Sequence, residues 1–205
     1  MIVDLKYLPG ATPLDPNELD GLKHKHITTQ AELNELEQAN IQSGLRWLAT
    51  QKDDVLTDHF VVELHERLFC DVWGWAGSFR RTDKSVGSVD PIQIPVELRQ
   101  LMNDARYWAD HKTYTPIEAA VRLHHRLTQI HPFPNGNGRH ARIMADAMLE
   151  HVYKAPAIDW AGGYDLQKMN ERRETYIAAL KAADQGDVDQ LMNFVGTKME
   201  TRAAP

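Results

Sequence analysis

His131-Pro-Phe-Pro-Asn-Gly-Asn-Gly-Arg-His-Ala-Arg142 decides how this chain folds, because it joins a helix stop, a glycine loop and a new helix start. Upstream, Thr115-Pro-Ile-Glu118 supplies a cap, a proline at the first helical position and a glutamate at the third. The helix it opens runs through Ala119, Leu123, Leu127 and Ile130, and Pro132 and Pro134 forbid its continuation. Downstream, a helix from Gly138 carries Ile143, Ala147 and Met148. The first N–H groups of that helix lack intrahelical partners, and Gly136 and Gly138 let a ligand approach the backbone. Together they make an anion cradle. Arg139 and Arg142 lie near the same helix start, where the macrodipole disfavours positive charge. A polyphosphate from outside the chain would satisfy both. His131, at the lip of the cradle, has the pKa range of a general base. Each piece alone is an ordinary stop or turn. In combination they describe transfer of a phosphate-containing group to a hydroxyl.

Working outward, the chain reads as all-α with one small β-hairpin. Residues 1–28 hold several prolines and the Lys23-His24-Lys25-His26 alternation, and read as an irregular, solvated arm without metal-ligand spacing. Thr29-Gln-Ala-Glu32 is a capping box, and the N-terminal helix it opens occupies 29–52. Leu56, Phe60, Leu64 and Leu68 at four-residue spacing predict the next helix, from about Asp54 to Cys70. Glycines and prolines punctuate the stretch that follows, and alternating Val86, Val89, Ile92 and Ile94 predict a short hairpin within 81–94. Pro95 opens a helix to about His111, and two more, over 165–184 and 187–202, close the chain. Residues 53–205 form the expected catalytic core.

Bulk properties narrow the function classes. A chain of 205 residues with 42% hydrophobic content can bury the core of one domain. A formal net charge of −6 argues against nucleic-acid binding. The lone Cys70 excludes an intramolecular disulfide and reads as buried packing. Neither a secretory signal nor a run of about 20 apolar residues is present, which predicts a cytoplasmic protein that does not enter a membrane. Trp73, Trp75 and Trp160 are expected in the core. His124, His125 and His140 are expected on helix surfaces, since they lack ligand spacing.

The segment 131–142 resembles the Fic signature, His-x-Phe-x-(Asp/Glu)-Gly-Asn-Gly-Arg-x-x-Arg, at every fixed position but one. Residues from about Leu56 to Phe194 are similar to the family's helical core, including a Trp-Ala-Gly segment, and the N-terminal helix resembles that of the mobile mystery protein B subgroup. The resemblance implies a Fic-type helical bundle with a hairpin flap that transfers AMP from ATP to a Ser, Thr or Tyr of another protein. Mg²⁺ would bridge the phosphates. It implies His131 as general base, Phe133 as the residue that packs the loop inward, and Gly136, Asn137 and Gly138 as the anion hole. Arg139 would hold the distal phosphates and Arg142 the phosphate end of the nucleotide. The departure is Asn135, where the family carries a carboxylate for the metal. A neutral amide is the weaker Mg²⁺ ligand.

The resemblance also implies a brake, a glutamate on an inhibitory helix that pairs with the second signature arginine, here Arg142. Glu37 falls on the apolar face of the N-terminal helix with Leu33, Leu36, Asn40, Gly44, Trp47 and Leu48. Glu32 is the alternative, with helix capping as its ordinary role. If neither brakes the enzyme, an antitoxin-like partner would. The 81–94 flap is expected to receive the target as an added strand. Competing readings are other phosphoryl or nucleotidyl transfer, removal of AMP, and a catalytically silent nucleotide-binding module, the last because of Asn135.

Overall fold

The computed structural model describes residues 12–84, 89–162, 166, 168 and 170–196. Among the described residues eight α-helices carry the fold: α1 (Pro16–Leu19), α2 (Gln30–Leu48), α3 (Asp58–Phe69), α4 (Ile94–Asp110), α5 (Pro116–Ile130), α6 (Asn137–Met148), α7 (Glu171–Asp184) and α8 (Asp189–Phe194). Their starts follow from side-chain caps. Thr29 and Glu32 form the expected reciprocal box on α2, Thr57 caps α3, Thr115 with Pro116 opens α5, and Asn170 caps α7.

α5 and α6 lie at the centre. One core, built by α2 to α6, is filled by Phe60, Leu64, Leu98, Leu127, Phe133 and Met144. A second covers the far side of α5 and α6 with Trp160, Tyr176, Leu191 and Phe194. The 131–142 segment is thereby held between two packed layers. α2 lies close on α3 because Gly44 has no side chain: a Cβ there would meet Leu68 at 2.8 Å. Asn40 fastens the same seam, donating to the Arg67 carbonyl and accepting from Asp71 N–H. No helix among the described residues is long and apolar enough to cross a membrane.

Five expectations need correction. The segment within 81–94 forms no strand among its described residues, and Pro91–Gln93 is a 3₁₀ turn capped by Asp90. Arg80 bears on this: its guanidinium takes the carbonyls of both Thr82 and Val89, acceptors a ladder would need. Residues 85–88, including Val86, lie outside the described residues. The arm is partly packed rather than wholly solvated among its described residues, with Thr12, Leu14, Leu22 and Ile27 buried. Its described part, from Thr12, packs against 70–84, with Leu22 bridged to Trp73 and Lys23 N–H donating to Val72. His124, His125 and His140 are buried rather than on the surface, and each ring is hydrogen-bonded, to Tyr176, Asp184 and the Val61 carbonyl respectively. Cys70 is only half-buried, at the C-cap of α3. Of the tryptophans, Trp73 and Trp160 are buried as expected, while Trp75 is half-buried and stacks on Trp73.

Candidate active site

α5 ends on His131 in the left-handed region, φ 50° and ψ 60°, and its N–H still donates to Leu127. A non-glycine residue there costs about 1–2 kcal/mol, so surrounding contacts must hold it. Arg80 supplies them. Its Nε donates to the His131 carbonyl at 2.7 Å, its Nη2 to Ile130, and its own N–H to the Pro132 carbonyl. This buried arginine fixes the ring's launch point through backbone carbonyls.

The loop beyond His131 is locked from inside. Phe133 is fully buried and stacks on His65, ring centroids 3.7 Å apart. His65 accepts from Gly77 N–H at Nδ1, so its Nε2 carries the proton and donates to the Asn135 carbonyl at 3.1 Å. The Trp-Ala-Gly segment thus holds the loop through α3. Asn137 accepts from Phe133 N–H and donates back to the Phe133 carbonyl, so its buried side chain braces the loop. Gly136 adopts φ 78°, and a Cβ there would strike the Phe69 ring at 2.7 Å. No side chain replaces glycine at that turn.

Gly136 is the N-cap of α6 and provides no side-chain bond to the first turn. A Cβ on Gly138 would meet only Arg142 Nη1, at 3.8 Å, so a small group can approach the backbone at that residue. The arrangement suits an anion. The two arginines divide. Arg139 Nη1 donates to Glu37 at 2.6 Å in a mostly buried ion pair, and its guanidinium lies over Phe69. Arg142 turns toward Tyr176, with its charge over the ring and a 3.3 Å contact to the hydroxyl. Arg142 also depresses the Arg173 pKa, although less than burial does.

Glu37 therefore meets Arg139 and not Arg142 as expected. Its second oxygen accepts from Trp73 Nε1 at 2.7 Å, which fixes the carboxylate from the α2 side. Glu32 spends its carboxylate on Thr28 and Thr29 at the start of α2. Asn135 turns Oδ1 to Gly136 N–H and donates from Nδ2 to the Thr12 carbonyl. Among the described residues no group of three His, Cys, Asp or Glu side chains could hold a metal ion. One engaged amide oxygen does not fit a protein-held Mg²⁺.

His131 is 5% exposed, and its pKa is lowered to about 4. Burial is the chief cause and the Arg80 charge the next, while the Thr128 carbonyl works the other way without meeting hydrogen-bond geometry at the buried Nδ1. The ring is neutral at pH 7, as a base must be. Its Nε2 lies 2.9 Å from Thr12 Oγ1. His140 is likewise lowered to about 4, and burial pushes His65 and His124 well down.

These shifts predict an acid-labile fold. Between pH 6.5 and about 4, the unfolded chain takes up protons that the folded histidines refuse. Each such group removes about 1.4 kcal/mol of stability per pH unit across that window. Asp146, raised to about 6 by burial, acts in the opposite sense, because the folded state takes its proton first as pH falls from 6 toward 3.8. Histidines outnumber it. Scanning calorimetry should show Tm dropping steeply from pH 7 to 4.5, and a flat Tm would contradict the burial of neutral histidines.

Sequence reasoning brought out His131, Phe133, the glycines and both arginines, and the structure gathers them at one end of α6. It missed Arg80, His65, Trp73 and Thr12. A tryptophan or histidine in an apolar stretch gives no sign that its polar atom reaches across the fold.

The Fic/DOC family model matches residues 55–149. Protein adenylyltransferase Fic of Aedes aegypti is 31% identical over 148 residues, 70% of this chain and 28% of that protein. The protein of the same name from Nematostella vectensis is 31% identical over 199 residues, 95% of this chain and 40% of that one. The chain thus spans well under half the length of these curated relatives. The structure of BepC, a VirB-translocated effector of Bartonella tribocorum with bound AMPPNP, superposes with a TM-score of 0.65 at 18% identity, over 88% of this chain and 96% of that one. That likeness shows the fold alone. From the family match over 55–149 and the curated relatives, the chain belongs to the Fic/DOC family.

Proposed function

We propose that this chain moves AMP from ATP to a Ser, Thr or Tyr hydroxyl of a target protein. One observation carries the reading: a neutral histidine, fixed by Arg80, stands one loop before an uncapped helix start that bears two arginines. In this reading His131 takes the acceptor's proton. The N–H groups at the start of α6 hold phosphate oxygens, Arg139 takes the distal phosphates after leaving Glu37, and Arg142 supports the phosphate end from its seat on Tyr176. Proton removal by a placed base contributes about 10²–10⁴-fold. The names of the curated relatives and the AMPPNP held by BepC support ATP as substrate. Any Mg²⁺ would come with the nucleotide, since Asn135 offers no carboxylate.

Functionally, residues 1–28 are the N-terminal arm, of which Thr12 reaches the site, 29–52 are the brake helix and 53–205 the catalytic core. With Glu37 as the brake, an antitoxin-like partner has no role. The target docks beside the 81–94 segment.

ATP labelled at either the α or the γ phosphate tests the reading. Incubated with the protein and a cell extract, the α label should appear on protein and the γ label should not. Label from γ alone would mean phosphoryl transfer, and none from either a silent nucleotide-binding module.

A further inference from the structure

The hydroxyl that meets His131 belongs to the chain itself. Thr12 is buried, with its Oγ1 2.9 Å from His131 Nε2 and its carbonyl accepting from Asn135 Nδ2 at 3.0 Å. One residue therefore touches both ends of the 131–135 loop, just before the start of α6. Its neighbours hold it there. Leu14 is buried in the main core, and Asp15 accepts from Thr82 and pairs with Lys84. Lys84, itself nearly buried, also takes Glu18 and the Pro13 carbonyl, and Trp75 Nε1 donates to the Glu18 carbonyl. The arm lies against the 81–84 segment, where an external target is expected to dock.

From this placement we propose that Thr12 is an acceptor for AMP, modified in cis by the His131 of its own chain. The inference rests on the adenylyl-transfer reading above. In the step, Thr12 Oγ1 gives its proton to His131 Nε2 and forms a bond to the α phosphorus of ATP. The bond from that phosphorus to the bridging oxygen breaks, and pyrophosphate leaves with the electron pair. His131 then releases its proton to water. A neutral ring at pH 7 can accept that proton. An inert plug would need only shape, whereas this arm presents a threonine hydroxyl to the candidate base. Holding the two within hydrogen-bond reach gives the intramolecular hydroxyl the advantage of proximity over any target in solution.

The test uses the full chain, as wild type and as Glu37→Gly, with α-labelled ATP and Mg²⁺, followed by peptide mapping and intact mass. AMP is expected on the peptide containing Thr12, at a fractional rate independent of protein concentration. Thr12→Val should abolish label on that peptide, because no hydroxyl remains there to take the α phosphorus. Thr12→Ser should keep it, and a melting curve for each variant checks the fold. AMP on extract proteins but not on Thr12 would overturn this inference and leave the function standing. So would a Thr12 labelling rate that scales with protein concentration. No α label on any protein would overturn both.

Discussion

Glu37→Gly should raise transfer of AMP about ten- to a hundredfold while lowering the melting temperature. Arg139 is the arginine nearest the open start of α6, and in this structure its guanidinium is committed to Glu37 at 2.6 Å. A charge-assisted bond of this kind is worth about 1.5–3 kcal/mol, which is the penalty an incoming phosphate must overcome. Glycine removes the competitor. It also leaves Trp73 Nε1 without its acceptor and puts a flexible residue inside α2, which costs about 1 kcal/mol from helix propensity alone. Activity and stability should therefore move in opposite directions. Glu37→Gln, which keeps an acceptor for Trp73 and discards the charge, should fall between in activity and lose less stability. Initial rates with α-labelled ATP and a thermal melt on each variant decide it. Equal rates in wild type and variant, with ATP binding intact, would remove Glu37 as the brake.

Arg139 and Arg142 have different partners because one turn of helix separates them. Arg139 faces α2, while Arg142 faces α7 and Tyr176. The sequence marked Glu37 as a carboxylate out of place on an apolar face. It could not select between two arginines three residues apart, because the choice depends on how α2 lies across α6. That crossing is set by Gly44 against α3 and by Asn40 at the end of α3.

The legible part of the site was local. From His131 to Arg142, the stop, the turn and the helix start are encoded by neighbours in the chain, and the structure reproduces them. What was illegible is held together at long range. Thr12 lies 119 residues from the histidine it meets, and Arg80 lies 51 from the same residue. Arg80 and His65 act mainly on backbone carbonyls and amides, which every residue has, so no pattern of side chains announces them. The buried histidines of α5 were misread for a related reason. A periodicity count treats His124 and His125 as polar, yet each is buried with one hydrogen-bond partner supplied by α7. The arm misled through composition: prolines and charges read as solvated until Lys84 and Trp75 give them partners.

In the proposed reaction His131 is the base of a phosphate-group transfer, and the nucleotide lies at the start of α6. Removing the imidazole should destroy transfer and spare binding, because no contact to the uncapped α6 start depends on that ring. The most direct measurement compares wild type and His131→Ala for transfer of α-labelled AMP and, by calorimetry, for ATP affinity. Transfer should fall by about 10²–10⁴-fold, the range for loss of a positioned general base, with ATP affinity changed less than about threefold. Transfer persisting at the wild-type rate in a folded His131→Ala protein would contradict the account.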